Sequence, residues 1–171
     1  MKLSQASKRD LFALRECRLA LAAIGFLVPS GADGSPPPSL PTATVIIDSD
    51  HGPVTFRAEI AADSASQQRG LMYRKRMSAN AGMLFDFHRP QYENFWMKDT
   101  VLSLDLIFIR EDGTISSIAP NAVPFSEVTI PSAEPVRAVL EINGGRAAQL
   151  GIEPGQHVHN AIFGAVPHSQ K

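Results

Sequence analysis

Six side chains in this sequence combine a type and a setting that could do chemistry: Arg69, Trp96, Lys98, Asp99, Asp105 and Glu141. Asp105 interrupts Leu104-Asp-Leu-Ile-Phe-Ile109, and Glu141 interrupts Val139-Leu-Glu-Ile142. On strands, side chains alternate between faces, so Asp105 shares its face with Ile107 and Ile109, and Glu141 shares its face with Val139. Burying an unpaired carboxylate costs several kcal/mol, on the order of a whole folding stability. Each must therefore be solvated, neutralised or paired, and Arg69, Lys98 and Arg137 are the candidate cations. Two carboxylates and two cations in one cleft suit general acid and base work or the binding of a polar ligand. The same groups closed on one another would be structural pairs and nothing more.

Phe95-Trp-Met-Lys-Asp-Thr100 adds a second constellation. Read as extended chain, it puts Phe95 and Met97 on one face and Trp96 with Lys98 on the other. A flat apolar ring beside a charge is a ligand platform of the kind sugar and anion sites use, or else simply a covered sheet face with the lysine's ammonium in water. Asp99 is expected to cap a turn by accepting from backbone two residues on, and it adds a negative charge beside Lys98. Arg69, Trp96, Lys98 and Asp105 are expected to meet at one end of a sheet.

Soft metal ligands form a third set. Met72, Met77, Met83, Met97 and His88 fall within twenty-six residues, the inventory of an exported copper protein. The methionines stand in apolar words such as GLM, GML and FWM, where filling irregular core space is their usual role. His157 and His159 are two apart on an expected strand and so face one way, a spacing some zinc sites use. A third ligand would have to come from His168 or a distant carboxylate, so no metal and no cofactor is assigned. Gly-rich phosphate loops, HExxH and a Ser-His-Asp triad in recognisable context are absent from the sequence.

The elements that must hold these residues are mostly strands. Thr44–Ile47 and Val54–Ile60 read as an opening hairpin around Asp48–Pro53. A short helix, capped at Asp63-Ser64 with Gln67 closing a capping box from Ser64, runs to Met72. Strands are expected over 83–87, 94–97, 104–109, 114–119, 136–142 and 157–162, with Asp112-Gly113 turning the third into the fourth. Pro120 to Pro135 contains four prolines and reads as a long loop or an edge strand. Gly145–Gly151 reads as one helical turn with a C-cap glycine. The expected fold is mainly β, an antiparallel β-sandwich or barrel with one or two short helices.

A chain of 171 residues suits one core. Residues 1–32 look like a signal peptide: Lys2, Lys8, Arg9, Arg15 and Arg18, then ten apolar residues from Leu19 to Val28, then Ser30-Gly-Ala32. Ten residues are half of what a bilayer span needs, so membrane attachment is expected only through an uncleaved signal segment. Residues 33–41 form a Pro- and Gly-rich linker, 42–165 the domain and 166–171 a tail. Cleavage would remove Cys17, the one cysteine, and with it every disulfide, thiol nucleophile and thiolate ligand. It would leave eleven basic against fifteen acidic residues, a formal charge of −4, which argues against a nucleic-acid partner.

Four ordered words, Arg69-Gly-Leu-Met72, Gly82-Met-Leu-Phe85, Phe95-Trp-Met-Lys-Asp-Thr100 and Leu104-Asp-Leu-Ile-Phe108, resemble the signature of a prokaryotic family, domain of unknown function 192. The resemblance spans about Val54 to Val158 and implies a mainly β fold and a tendency to export, with no reaction, substrate or cofactor. It also implies that asparagine is commoner than aspartate at position 99. The combined expectation is a periplasmic or secreted, soluble β domain that binds a small polar ligand or an envelope protein and is not an enzyme. Two alternatives stand beside it: an envelope hydrolase or transferase using Asp105 or Glu141 with Lys98, and a copper-binding protein using methionine and histidine.

Overall fold

The computed structural model describes residues 39–164, and the segments read as signal peptide and tail lie outside them. Nine strands and two short helices follow in order: β1 (Thr42–Ser49), β2 (Gly52–Ala61), α1 (Ser64–Arg69), β3 (Ala81–Gln91), β4 (Asn94–Phe95), β5 (Leu104–Ile109), β6 (Ile115–Ala122), β7 (Ile130–Pro131), β8 (Val136–Asn143), α2 (Arg146–Gln149) and β9 (Val158–His159). Seven strands form one sheet in the order β6-β5-β8-β3-β2-β1-β9, and β4 pairs with β7 as a small second sheet. The large sheet curls into a half-barrel whose two edges meet at one end. There the turn after β5 bonds to the lead-in of β9: Ile115 N donates to Gln156 O at 2.8 Å and Val158 N to Gly113 O at 2.8 Å.

Pairing is antiparallel except for β2 and β3, which run parallel with Ile60 opposite Leu84. This one crossover is made by α1, and it departs from the expected run of hairpins. Of the two expected cap residues Asp63 is the one that caps the helix, and the capping box closes through Ser66 and not from Ser64 to Gln67. Asp63 Oδ1 accepts from Ser66 N at 3.0 Å, and Ser66 Oγ in turn accepts from Asp63 N at 3.3 Å. The helix ends at Arg69, short of Met72, since Gly70 turns out with φ +48° and Tyr73 takes φ +63°. β6 runs through Pro120 on the sheet edge, where a missing N–H costs no ladder bond. The last expected strand shortens to Val158–His159, followed by a 3-10 turn.

Both faces of the sheet are covered, which is why β5 and β8 read as near-continuous apolar runs. The concave face buries Val45, Ile47, Phe56, Leu84, Ile107 and Leu140, with Ala147 of α2 packed among them. The convex face carries Met83, Phe85, Leu106, Phe108 and Val139, and is covered by Leu71 and Met97 from the connecting segments. Phe95 in β4 anchors that cover edge-on to Phe85 and Phe108, with ring centroids at 5.1 and 6.1 Å.

Candidate functional site

Between the convex face and its cover lies a cavity of about 720 Å³. Five of the six residues singled out above line it: Arg69, Trp96, Lys98, Asp99 and Glu141. Arg69 comes from the last turn of α1, where Gly70 releases the chain. The extended stretch after β4 points Met97 inward, at 1% exposure, and leaves Trp96 half exposed at the rim, as the alternation requires. Lys98 Nζ sits 5.3 Å from the Trp96 ring, a cation–π contact that holds the ammonium over the opening. Asp99 takes φ +53°, which Asn and Asp tolerate better than most residues. Its carboxylate accepts from the Tyr73 hydroxyl at 2.8 Å and so differs from the expected local turn cap. That bond raises the Tyr73 phenol above its ordinary range.

Glu141 is the inner end of this site. It sits on β8 between Met83 of β3 and Leu106 of β5, so its side chain rises from the middle of the convex apolar face. It is 5% exposed. Among the described residues its carboxyl has no hydrogen bond or ion pair, so neither Arg69 nor Lys98 supplies the cation expected for it. Burial alone raises its pKa from the ordinary 4.5 to about 8. Glu141 is therefore a neutral carboxylic acid at pH 7, able to donate a hydrogen bond into the cavity.

Asp105 is not part of the group. Its strand position puts it on the concave face, across the sheet from Glu141 and the cavity, and the expected meeting with Lys98 does not occur. Among the described residues it also has no cationic partner. Oδ1 accepts from Asn121 N at 2.8 Å and Gly145 N at 2.9 Å, and Oδ2 from Ala147 N at 2.8 Å. Three amide donors satisfy the charge, so a fully buried aspartate serves as a remote cap for α2 and a tie to β6. The third candidate cation, Arg137, pairs with Asp86, whose Oδ1 also accepts from His88 N at 2.8 Å.

Sequence reasoning missed the aromatic wall of the cavity, formed by Phe85, Phe87 and Phe95. Phe85 and Phe87 recur at period two on β3 and, like Phe95, were legible as core, but only the docking of β4 turns part of that core into a lining. Of the soft ligands, Met83 and Met97 pack in the apolar cluster at 1% exposure each, and Met72 lines the cavity. His157 and His159 lie on β9 and its lead-in, outside this cavity.

The sequence pattern of the family DUF192, described as uncharacterised ACR, matches residues 45–160. The chain belongs to the DUF192 family. Two crystal structures share this DUF192 fold. One, from Sinorhizobium meliloti 1021 and provisionally described as a transcription regulator, is 42% identical with a TM-score of 0.71, covering 73% of this chain and 98% of its own. The other, a protein of unknown function from Novosphingobium aromaticivorans DSM 12444, is 44% identical with a TM-score of 0.71, covering 74% of this chain and 90% of its own. No curated protein matches.

Proposed function

We propose that this DUF192 domain is a binding module of the cell envelope whose cavity takes a small amphipathic molecule. The observation that carries the reading is Glu141: a carboxyl buried to 5% exposure, without a polar partner among the described residues, on an apolar face that opens into a cavity of ligand size. A neutral carboxylic acid at the base of an apolar cavity offers a directed hydrogen bond to a bound acceptor. The aromatic wall suits a flat apolar body, and Lys98 with Arg69 at the rim suits an anionic end. Placement in the periplasm or outside the cell rests on the basic, apolar and small-residue order of positions 1–32.

The raised pKa of Glu141 also favours a second reading, in which it transfers a proton near neutral pH. Asp105 has no part in that chemistry, since its oxygens are taken by amides. The regulator description of the S. meliloti protein is not carried over, because a chain of formal charge −1 offers little to a phosphate backbone.

A thermal-shift titration with benzoate and indole-3-acetate tests the binding reading. A ligand at 100 times its Kd adds about 2.7 kcal/mol of stability, so Tm should rise clearly. Lys98→Met should fold normally and lose the rise. No rise with either probe at millimolar concentration, or one that survives both Lys98→Met and Glu141→Gln, would count against this cavity as the site.

A further inference from the structure

We propose that Asp48, His157 and His159 form a binding site for a divalent transition metal of the zinc class, with three protein ligands and one open position. The site lies at the β1–β9 edge of the sheet, with no residue in common with the cavity, and stands whether or not the cavity binds anything. β9 runs antiparallel to β1, with Ile46 opposite His159 and Ile47 opposite Val158. Continuing that register sets Asp48 opposite His157, and Asp48 N donates to His157 O at 2.9 Å. Val45, Ile47 and Val158 point into the core, so Asp48, His157 and His159 share the other face. One ligand atom from each residue lies within 4.8 Å of the other two.

His157 presents a bare nitrogen to a cation, while His159 Nε2, which donates to Asp48 Oδ2, gives up its proton when an ion binds. His157 Nε2 lies 2.7 Å from Asp112 O, and a carbonyl oxygen only accepts, so the ring proton is on Nε2. This leaves Nδ1 with a free lone pair, and Nδ1 is buried without a partner. An imidazole that donates one N–H to a backbone carbonyl and presents the other nitrogen bare is the arrangement metal-binding histidines use. The His159 ring lies tilted by 42° to that of His157, with centroids 4.7 Å apart, and His159 Nε2 contacts Asp48 Oδ2 at 2.7 Å. Gly113, at φ +85°, lets the ring of His157 lie this close to the turn: a Cβ there would come within 2.9 Å of the imidazole.

Ligands on a tetrahedral zinc with bonds of about 2.0–2.1 Å sit about 3.3 Å apart, so small side-chain rotations bring the three atoms to an ion. Two imidazoles and one carboxylate favour zinc, copper or nickel over magnesium or calcium. The ion would also clip the seam of the half-barrel, since His157 bridges to Thr114 at the other edge of the sheet.

The test is isothermal titration calorimetry of the full chain with Zn²⁺, in a Cys17→Ser background that removes the single thiol, together with Co²⁺ absorption to read coordination number. One ion per folded chain is expected, with a four-coordinate Co²⁺ spectrum and a rise in Tm. Changing even a residue that only orients a metal ligand costs about tenfold or more in affinity, so Asp48→Asn and His159→Ala should each weaken binding at least that far. Asp48→Asn retains an acceptor for His159, which keeps the fold intact, as circular dichroism would check. His168→Ala should leave the affinity unchanged. Absence of stoichiometric binding, binding indifferent to Asp48→Asn and His157→Ala, or binding lost through His168→Ala alone would each overturn the proposal.

Discussion

Glu141 and Asp105 show how two buried carboxyl groups on neighbouring strands meet opposite surroundings. Asp105 meets three N–H groups aimed at its oxygens, whereas Glu141 meets only apolar neighbours and stays protonated to about 8. The consequence for stability has a definite sign. Below pH 4.5 the carboxyl of Glu141 is protonated in folded and unfolded chains alike. Between 4.5 and about 8 the unfolded chain ionises and the folded one does not, so its contribution falls by at most about 1.4 kcal/mol per pH unit. Urea unfolding of Glu141→Gln across pH 5–8 should lack that slope, and identical slopes in both proteins would refute the assignment. Asp63, held low mainly by Ser66 N–H, Asp112, by Thr114 N–H, and Glu134, by the Ser116 hydroxyl, act in a separate window. Their stabilisation is present above their ordinary pKa values and lost as pH falls through the lowered ones. For Asp105→Asn, an amide group replaces an acceptor opposite backbone donors, and unfolding free energy should drop by about 1–3 kcal/mol. An unchanged denaturation midpoint would mean that the three bonds contribute nothing net.

At the scale of elements, the cover over the convex face depends on a few side chains. Met97 is 1% exposed under it, and Met97→Ala should cost about 2–5 kcal/mol by equilibrium unfolding. Tight Cu(I) binding lost in that variant with stability unchanged would instead favour a ligand role. The strands of the large sheet were legible because their apolar residues recur at period two or in continuous buried runs, as in Leu104–Ile109. The parallel pairing of β2 and β3 was not, because it depends on where a six-residue helix redirects the chain. β7 was likewise hidden, since two residues carry no period. The site was half legible for the same reason. Trp96 and Lys98 follow from local alternation, and Glu141 from its unlikely neighbours along one strand. That Glu141 and Asp105 face opposite ways depends on how β5 and β8 align, which neither strand states alone.

For the molecule as a whole, removal of the N-terminal segment would shift the formal charge from −1 to −4 and leave a chain without cysteine, stable in an oxidising compartment without disulfides. Mass spectrometry of envelope fractions should find a mature chain beginning near Asp33. Recovery only from cytosol with residues 1–28 intact would defeat the export reading.

The strand order has a consequence for the order of assembly. β8, from residues 136–143, lies between β3 and β5, so until it is in place the sheet exists as two fragments, β3-β2-β1 on one side and β5-β6 on the other. Each fragment exposes an apolar edge strand that only β8 can pair. A nascent chain halted anywhere before Val136 therefore has no route to the native sheet, and the pairings of β8 with β3 and β5 must form late, which slows folding. A polypeptide built this way stays threadable until the residues of β8 have been made.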